Sequence, residues 1–480
     1  MSSVYSRRPK CVLLSLFFTA FLFFLGENIQ QAPRTQIYES IICNQFNQPL
    51  TECKNNRVQE ELAFLKGTER LLGALPTILV IPWSIFAERY GRGTALKLAL
   101  LGVCFEESWS YLICSYSAPI RLILWAPMFE VLGGGPAIIT TMLHLIAAAV
   151  TTEEQRTTTF FVIRATGIAA ALLAQIVSSF LMSRDVWLPW ALGLLCIFLA
   201  VFAAPREPNP IDQRKVDGDA SLRTEEERLS ETNSTHLQNG SLDTTVADTI
   251  QSRLRELSKQ MHTGLKMIFF NPPLIVLLSL SFLSQLGEDS LPMVLLLYIS
   301  ERYGWDFAQA NYLWALGEAI QFICLIALLP YASRLLLARS GMNAYFTDYT
   351  IAVFSAMMLS LGAMLLGLGF SISGTVIGVI LMSTAGGLQA ALRSLVTMVI
   401  TPENLGVVYS VFTVLHVMST SLAGPIYSSV FTFGLRFGIE YTGFPFVLAA
   451  ILAALTLPTF LAIRPRQDYE LVPEPGFGTL

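Results

Sequence analysis

Long apolar runs separated by short polar segments make up most of this chain. A helix needs about 20 apolar residues to cross the hydrocarbon core of a bilayer, and twelve runs reach roughly that length. Because a spanning segment must satisfy its backbone hydrogen bonds internally, each run is predicted to be a helix. The runs lie near residues 11–30, 63–86, 94–115, 120–149, 156–182, 186–204, 272–299, 306–330, 349–368, 372–399, 404–433 and 443–463.

The composition agrees with that pattern. Of 480 residues, 53% are hydrophobic and 14% are charged, whereas soluble proteins carry about 25% charged residues. The sequence therefore predicts an all-α membrane protein in the lipid bilayer. It contains no basic patch with interleaved aromatic residues, which argues against nucleic acid as a partner. The first run follows Arg7, Arg8 and Lys10 like a signal peptide, but it lacks a small-residue cleavage site and is interpreted as the first helix.

The segment 205–265 interrupts the apolar pattern. It has few aromatic residues and many charged and hydroxyl residues, so it is predicted to be a disordered linker, whose part near 248–267 could form an amphipathic surface helix. The linker divides the chain into an N-terminal six-helix bundle, 1–204, and a C-terminal six-helix bundle, 266–480, which ends in a short tail. Lys and Arg gather on the linker, at both termini and on every second loop. This bias predicts that the linker and both termini are cytoplasmic in a multi-pass protein, with the plasma membrane as the expected location.

The two bundles repeat each other in sequence. The first run holds Leu-Leu-Ser-Leu at 13–16 and Leu-Gly-Glu-Asn at 25–28, and the seventh holds Leu-Leu-Ser-Leu at 277–280 and Leu-Gly-Glu-Asp at 286–289. The duplication predicts pseudo-symmetric halves in which the glutamates of the two motifs occupy equivalent positions. A second set recurs 250 residues later: Leu172, Ile176, Ser178 and Ser179 correspond to Leu422, Ile426, Ser428 and Ser429.

A short polar hinge joins the second and third runs. It contains Ser84, Glu88, Arg89, Gly91 and Arg92, in which the glycine permits a tight turn and the arginines can hold the turn at the lipid headgroups. The hinge resembles the signature loop of the major facilitator superfamily, with Ser84 in place of a glycine, Glu88 in place of an aspartate and a glycine in place of the second basic residue. The same residues also fit an ordinary cytoplasmic turn of any multi-span protein.

The resemblance implies twelve helices in two six-helix bundles that face each other across a central cavity. In that family the hinge carboxylate closes the cytoplasmic side by meeting the N-terminus of a partner helix, where a negative charge is favoured. Here the pair would be Glu88 and the eleventh run, which starts after Pro402. The cysteine-bearing outer loop, the hinge and the triple glycine of the fourth run are similar to filamentous-fungal members related to proton-coupled folate and haem-carrier transporters. The Gly-Pro pair that drug exporters carry in the fifth run is missing there, and a Gly-Pro pair occurs at 424–425 instead.

Ionisable residues inside the apolar runs are the main candidates for function, because a charge in hydrocarbon costs about 3 kcal/mol or more. Glu27 and Glu288 come first, since the repeat places them on the first and seventh helices. Asp289 adjoins Glu288, and two neighbouring carboxylates rarely both ionise. Pro292 follows one turn later and frees a backbone carbonyl, which predicts a broken helix that could line a cavity. The alternative is that both glutamates end their helices near the outer headgroups.

Further carboxylates lie in other runs. Glu130 lies well inside the fourth run, before the glycines at 133–135, and is a candidate proton acceptor or cation partner. Glu318 in the eighth run is a similar candidate. Glu106 and Glu107 lie in the middle of the third run, and one of them is expected to face the cavity. The glycines themselves allow close helix approach.

Basic residues inside the runs have two interpretations. Arg164 in the fifth run and Arg393 in the tenth either pair with the buried acids or hold an anionic substrate. His144 and His416 stand alone on apolar helices, and we interpret both as packed, neutral core residues.

Two cysteines lie in the first outer loop, 31–62, which is long and polar. On the extracytoplasmic side Cys43 and Cys53 either form a disulfide or remain free thiols. The other five cysteines lie in or next to apolar runs and are interpreted as small core residues.

These observations predict a secondary active transporter that moves a small organic molecule, with the proton as coupling ion. The resemblance favours export of a fungal secondary metabolite, and proton-coupled uptake of an organic anion or nutrient is the alternative. A receptor or scaffold that has lost transport is the candidate from another class. The sequence offers no metal-ligand cluster, no Gly-x-Ser-x-Gly and no phosphate loop, which argues against an enzyme, an ATP-driven pump or a bound cofactor. The resemblance also implies a monomer, which is the usual state in that family.

Overall fold

The computed structural model of the protein describes residues 9–46, 53–79, 83, 86–87, 90–151, 153–205, 271–340, 344–399 and 405–462. Three hinge residues, Ser84, Glu88 and Arg89, lie outside the described residues, as do the linker from 206 onward and Pro402.

The N-terminal half consists of seven described α-helices and two 3₁₀ helices. The α-helices are α1 (Pro9–Ile29), α2 (Gln31–Gln45), α3 (Asn56–Leu72), α4 (Arg92–Ser115), α5 (Gly135–Val150), α6 (Glu153–Met182) and α7 (Trp187–Ala203). The 3₁₀ helices cover Leu75–Leu79 and Ile120–Leu132.

The C-terminal half consists of nine described α-helices with short irregular turns between them. The α-helices are α8 (Pro272–Glu288), α9 (Ser290–Tyr303), α10 (Phe307–Ile323), α11 (Leu329–Ser340), α12 (Ala344–Leu368), α13 (Ile372–Thr384), α14 (Leu388–Val399), α15 (Leu405–Phe437) and α16 (Phe444–Ala462). A π-helical turn covers Cys324–Leu328, and 3₁₀ turns cover Ala385–Gly387 and Ile439–Gly443.

Within the described residues, each of the twelve predicted runs overlaps helical segments, and the count of twelve is consistent with the structure. Four helical stretches each consist of two α-helices that follow one another directly or across a short turn: α1 with α2, α8 with α9, α10 with α11, and α13 with α14. Within the described ranges, eight helical stretches are long and apolar enough to cross a membrane, and α7 is a shorter apolar helix. The prediction of an all-α membrane protein is therefore confirmed.

The predicted outer loop at 31–62 is largely helical, which corrects the sequence-based boundary. Residues 31–45 continue the first span as α2, and α3 begins at residue 56. Polar side chains that made the segment look like a loop are instead paired between these helices. Gln59 donates to Glu39 at 2.5 Å, and Lys66 donates to Thr35 at 2.6 Å. Paired polar groups remove most of the cost of burial, so a polar sequence can remain helical inside a bundle.

The seventh span is broken at the predicted place. Helix α8 ends at Glu288, Asp289 forms a turn, and α9 starts at Ser290. The ring of Pro292 cannot donate to the carbonyl of Glu288, four residues earlier, so the regular helix cannot continue through this point. The hydroxyl of Ser290 donates to the Gly287 carbonyl at 2.8 Å and so satisfies a backbone group near the break.

Equivalent helices pack in equivalent ways in the two halves. In the first half, a Cβ added at Gly26 of α1 would lie 2.8 Å from the Gly193 carbonyl of α7. In the second half, a Cβ at Gly287 of α8 would lie 3.5 Å from the Ala449 carbonyl of α16. The repeated glycine thus sits against the last helix of each half, as the sequence duplication requires.

The halves meet through α3 with α15 and through α6 with α10. We call the end of the bundle that carries Cys43 and Cys53 the disulfide side, and the opposite end the linker side. A single apolar core joins α2 and α3 to the C-terminal half, whereas the described core on the linker side of the N-terminal half contains residues of that half alone. The described apolar packing between the halves is therefore concentrated on the disulfide side.

Polar contacts between the halves also lie on the disulfide side. Lys54 donates to the carbonyls of Ser300 at 3.1 Å and Trp305 at 3.3 Å. Asn56 donates to the Leu435 carbonyl at 3.1 Å. In this conformation the disulfide side is therefore held together by hydrogen bonds between the two halves.

Candidate functional site

Two glycines let the halves touch where α3 crosses α15. A Cβ at Gly67 of α3 would lie 2.9 Å from the Gly424 carbonyl of α15 and would overlap the Ser428 hydroxyl. A Cβ at Gly424 would lie 2.7 Å from the Gly67 carbonyl and 2.8 Å from the Cβ of Arg70. This crossing brings the Arg70 guanidinium to the boundary between the halves.

Arg70 connects the carboxylates of the two repeated motifs. Its positive charge acts on Glu27 of α1 and on Asp289 at the break of the seventh span. Glu27 and Asp289 belong to opposite halves, so one cation interacts electrostatically with an acid of each half. Asp289 adjoins Glu288, the residue that corresponds to Glu27 in the repeat.

Each carboxyl group at the break has one buried oxygen without a hydrogen-bond partner. Gln285 donates to Asp289 Oδ1 at 3.3 Å, but the buried Oδ2 has no partner, and neither has the buried Oε1 of Glu288. Tyr427 of α15 fixes the preceding turn by donating to the Leu286 carbonyl at 2.6 Å. A buried carboxylate oxygen without a donor is costly, and protonation of the group removes that cost.

Arg164 faces these acids from the N-terminal half. It is exposed although it lies within 162–182, an apolar spanning stretch. Its charge acts on Glu288 and Glu318, and Trp314 donates to Glu318 Oε1 at 3.2 Å. Since a guanidinium directed into lipid is strongly disfavoured, these interactions place Arg164 in the space between the halves.

A second cationic region lies towards the linker side. The guanidinium of Arg393 stands 5.0 Å from the ring centroid of Phe412 on α15. One turn further along α15, His416 has a buried Nδ1 without a hydrogen-bond partner, and the charges of Arg393 and Arg164 act on its ring. His144 is different: its Nδ1 lies 2.7 Å from the Thr140 carbonyl, and its ring packs against an aromatic neighbour.

A buried ion cluster fills the disulfide side of the N-terminal half. Arg34 of α2 donates to Glu69 of α3 at 2.8 Å and to Glu107 of α4 at 2.7 Å. Tyr38 donates to Glu69 at 3.3 Å, and Trp190 of α7 donates to Glu107 at 3.4 Å. Four helices thus share a single network around one guanidinium.

Sequence reasoning missed Arg34, Glu69 and Arg70. Arg34 fell in the segment taken for an outer loop, and the other two lie on α3 inside the second predicted run without having been singled out. Three ionisable residues within five positions of one run, Lys66 included, were the available signal.

Glu130 lies near the end of the 3₁₀ helix at Ile120–Leu132, just before the tight turn made by the triple glycine. Its backbone carbonyl accepts from Gly133 at 3.0 Å and Gly134 at 2.6 Å. Gly134 and Gly135 have φ values of +80° and +68°, which only glycine adopts readily. A Cβ at Gly135 would lie 2.8 Å from Glu130 Oε2, so the glycine makes room for the carboxyl group.

The described part of the hinge fits a tight turn. Gly91 has a φ of +99°, and Arg92 donates to the Leu145 carbonyl of α5 at 3.0 Å. On the other side of the membrane, Cys43 and Cys53 form a disulfide with a Cα–Cα distance of 5.2 Å. It links the end of α2 to the start of α3.

Comparisons with known proteins agree with this architecture. The chain is 28% identical to the MFS efflux pump atnC of Emericella nidulans, over 92% of this chain and 86% of that protein. It is 24% identical to the efflux pump ustT of Aspergillus flavus, over 90% of this chain and 84% of that protein.

Solved structures share the fold at low sequence identity. A D-xylose-proton symporter superposes with a TM-score of 0.66 at 11% identity, covering 95% of this chain and 98% of the other. A POT family transporter solved with 5-aminolevulinic acid gives a TM-score of 0.60 at 14% identity, covering 94% and 96%. The family model of the Major Facilitator Superfamily matches residues 71–425, and the chain therefore belongs to the major facilitator superfamily.

Proposed function

We propose that this protein is a proton-linked secondary active transporter that exports a small organic molecule, in particular a fungal secondary metabolite. Two relatives that align over most of the chain are named efflux pumps, and a protein of the same fold is named a proton symporter. Export and proton coupling are proposed here by analogy with these proteins and from the acidic residues at the interface.

The buried carboxyl oxygen Oε1 of Glu288, which has no hydrogen-bond partner, is the observation that carries the proposal. It lies beside Asp289 at a helix break, and Arg164 of the other half acts on it. Movement of the halves would change the distance between Glu288 and Arg164, and with it the relative stability of the charged and protonated forms. A group whose proton affinity depends on conformation couples proton binding to that movement.

Glu27, Asp289, Glu318 and Arg393 are proposed as further members of the substrate and proton pathway. The interaction of Arg70 with Glu27 and Asp289 supports this grouping. We also propose a division at the linker, with bundles at 1–204 and 266–480, and a monomer in the plasma membrane.

Sealed vesicles of known orientation test the proposal. Wild type, Glu288→Gln and Glu440→Gln are each given a pH gradient and a panel of labelled organic acids and hydrophobic metabolites. Glu440 is exposed on the 3₁₀ turn at Ile439–Gly443 and serves as the matched control. We expect gradient-driven flux in wild type and Glu440→Gln and its loss in Glu288→Gln. Flux that ignores the gradient in all three would refute proton coupling.

Uptake of an organic anion is the second candidate, favoured by the cations. Arg164 and Arg393 are both exposed within spanning helices, and their charges act on His416. The same vesicles discriminate the two directions, because uptake predicts accumulation of carboxylates, but not of their methyl esters, on the side that corresponds to the cytoplasm.

The hinge carboxylate Glu88 is proposed to close the cytoplasmic side by meeting the N-terminus of the eleventh span. Glu88→Ala is expected to fold and reach the surface but to transport poorly. Normal transport kinetics at normal surface abundance would rule this role out.

A further inference from the structure

Helix α4 and the 3₁₀ helix at Ile120–Leu132 pack against each other very closely near Glu130. A Cβ at Gly102 would lie 3.1 Å from the Phe129 carbonyl and 3.4 Å from the Glu130 Cα. A Cβ at Gly133 would overlap the backbone of Ala99. This packing leaves no space for a side chain between the two segments, so their relative position is fixed.

Glu106 lies on the same face of α4 as Ala99 and Gly102, because residues three, four and seven positions apart share a helix face. Glu106 therefore lies on the face of α4 that packs against the 3₁₀ helix, next to Glu130. The two carboxyl groups interact electrostatically with each other. Glu130 is 4% exposed, and its other surroundings include Gly135, which leaves Oε2 buried without a partner.

Two buried carboxyl groups that interact with each other are most stable when one of them holds a proton. An ionised carboxylate only accepts, whereas a protonated carboxyl group donates. Arg34 does not remove this preference, because its charge is already balanced by Glu69 and Glu107 at 2.8 Å and 2.7 Å.

The charged groups that act on Glu130 from the surrounding helices are Glu27 of α1, Arg34 of α2 and Glu107 of α4. Two of these three groups are acids, so their combined charge does not favour ionisation of both Glu106 and Glu130. Glu27 also interacts with Glu107 and with Arg70 at the boundary between the halves. A row of carboxyl groups thus extends from that boundary into the N-terminal half.

We propose that Glu106 and Glu130 share one proton in this conformation and form a proton-binding site of the transport cycle, separate from Glu288 and Asp289. The proposal rests on the proposed proton-linked transport for its role in the cycle, but the shared proton itself does not depend on it. When movement of the halves changes the charges around the pair, the shared proton can leave through Glu27.

Infrared difference spectroscopy on the purified full-length protein tests for the shared proton. The carbonyl stretch of protonated carboxyl groups is compared for wild type, Glu106→Gln, Glu130→Gln and Glu61→Gln. In either pair variant the glutamine amide can donate to the remaining carboxylate, which preserves the contact without a proton. We expect loss of one component of the band in both pair variants and an unchanged spectrum in Glu61→Gln. Should only one pair variant fold, its spectrum alone decides.

An unchanged carbonyl band in Glu106→Gln and Glu130→Gln would overturn the proposal. Loss of the band component in Glu288→Gln, and not in these two variants, would overturn it as well. Vesicle assays then test the role in transport. Glu130→Gln is expected to lose flux driven by a pH gradient while it retains exchange of labelled for unlabelled substrate. A variant that lost the band component but kept full gradient-driven flux would refute the transport role. If wild-type flux ignores the gradient, the proposed function fails, and the spectra still decide whether the proton is shared.

Discussion

The buried Arg34 cluster gives a stability prediction whose magnitude follows from the structure. The Arg34 side chain is 19% exposed, and its partners Glu69 and Glu107 are 9% and 7% exposed. Replacing Arg34 by glutamine leaves two buried carboxylates without their cation. Removal of one member of a buried ion pair costs about 3–5 kcal/mol, because the remaining charge is uncompensated.

Thermal unfolding of the purified protein, followed by tryptophan fluorescence, measures this cost. The cluster lies within one half, and in a unit of about 150–250 residues each kcal/mol shifts the unfolding midpoint by roughly 2–4 °C. We therefore expect Arg34→Gln to lower the midpoint by about 6–20 °C. The triple variant with Glu69→Gln and Glu107→Gln is expected to recover most of the loss, since it removes the unpaired charges together with the arginine.

An exposed ion pair of the same chemistry serves as the control. Arg121 contacts Glu61 at 2.8 Å, but its side chain is 70% exposed. Surface pairs of this kind contribute about 0–1 kcal/mol. If Arg34→Gln shifts the midpoint no more than Arg121→Gln, or if the triple variant is less stable than the single one, the reasoning from burial is wrong.

Three further predictions concern the closed disulfide side. Gly424→Ala is expected to impair the packing of the halves at a cost of about 1–3 kcal/mol, because the new methyl group would lie 2.7 Å from the Gly67 carbonyl. In a background without free thiols, maleimide labelling of a cysteine introduced on this side should therefore increase. Unchanged labelling would contradict the prediction. Lys54→Ala should also increase labelling, because it removes the hydrogen bonds of Lys54 to the C-terminal half. If the disulfide positions Lys54, replacing Cys43 and Cys53 by serine should increase labelling in the same way. Labelling equal to wild type would show that the disulfide does not position Lys54.

The sequence by itself determined the class of fold and the positions of the spans. Hydropathy and the need to satisfy backbone hydrogen bonds within each segment are local properties, so the twelve runs could be located without knowledge of their neighbours. The break after Glu288 was predicted for the same reason, since the effect of Pro292 on the helix extends over a single turn. The repeat also identified Glu27 and Glu288 as equivalent residues.

The tertiary structure decided how the polar residues are used. Residues 31–45 appeared to be a loop because the partners that allow Arg34 to be buried are 35 and 73 positions away in sequence. Glu106 and Glu107 are neighbours on α4, and a helix turns by about 100° per residue, so the two contact different partners: Glu107 binds Arg34, and Glu106 meets Glu130. Which charge is compensated and which must be protonated depends on such distant contacts, because the electrostatic energy of a buried group is set by its neighbours in space.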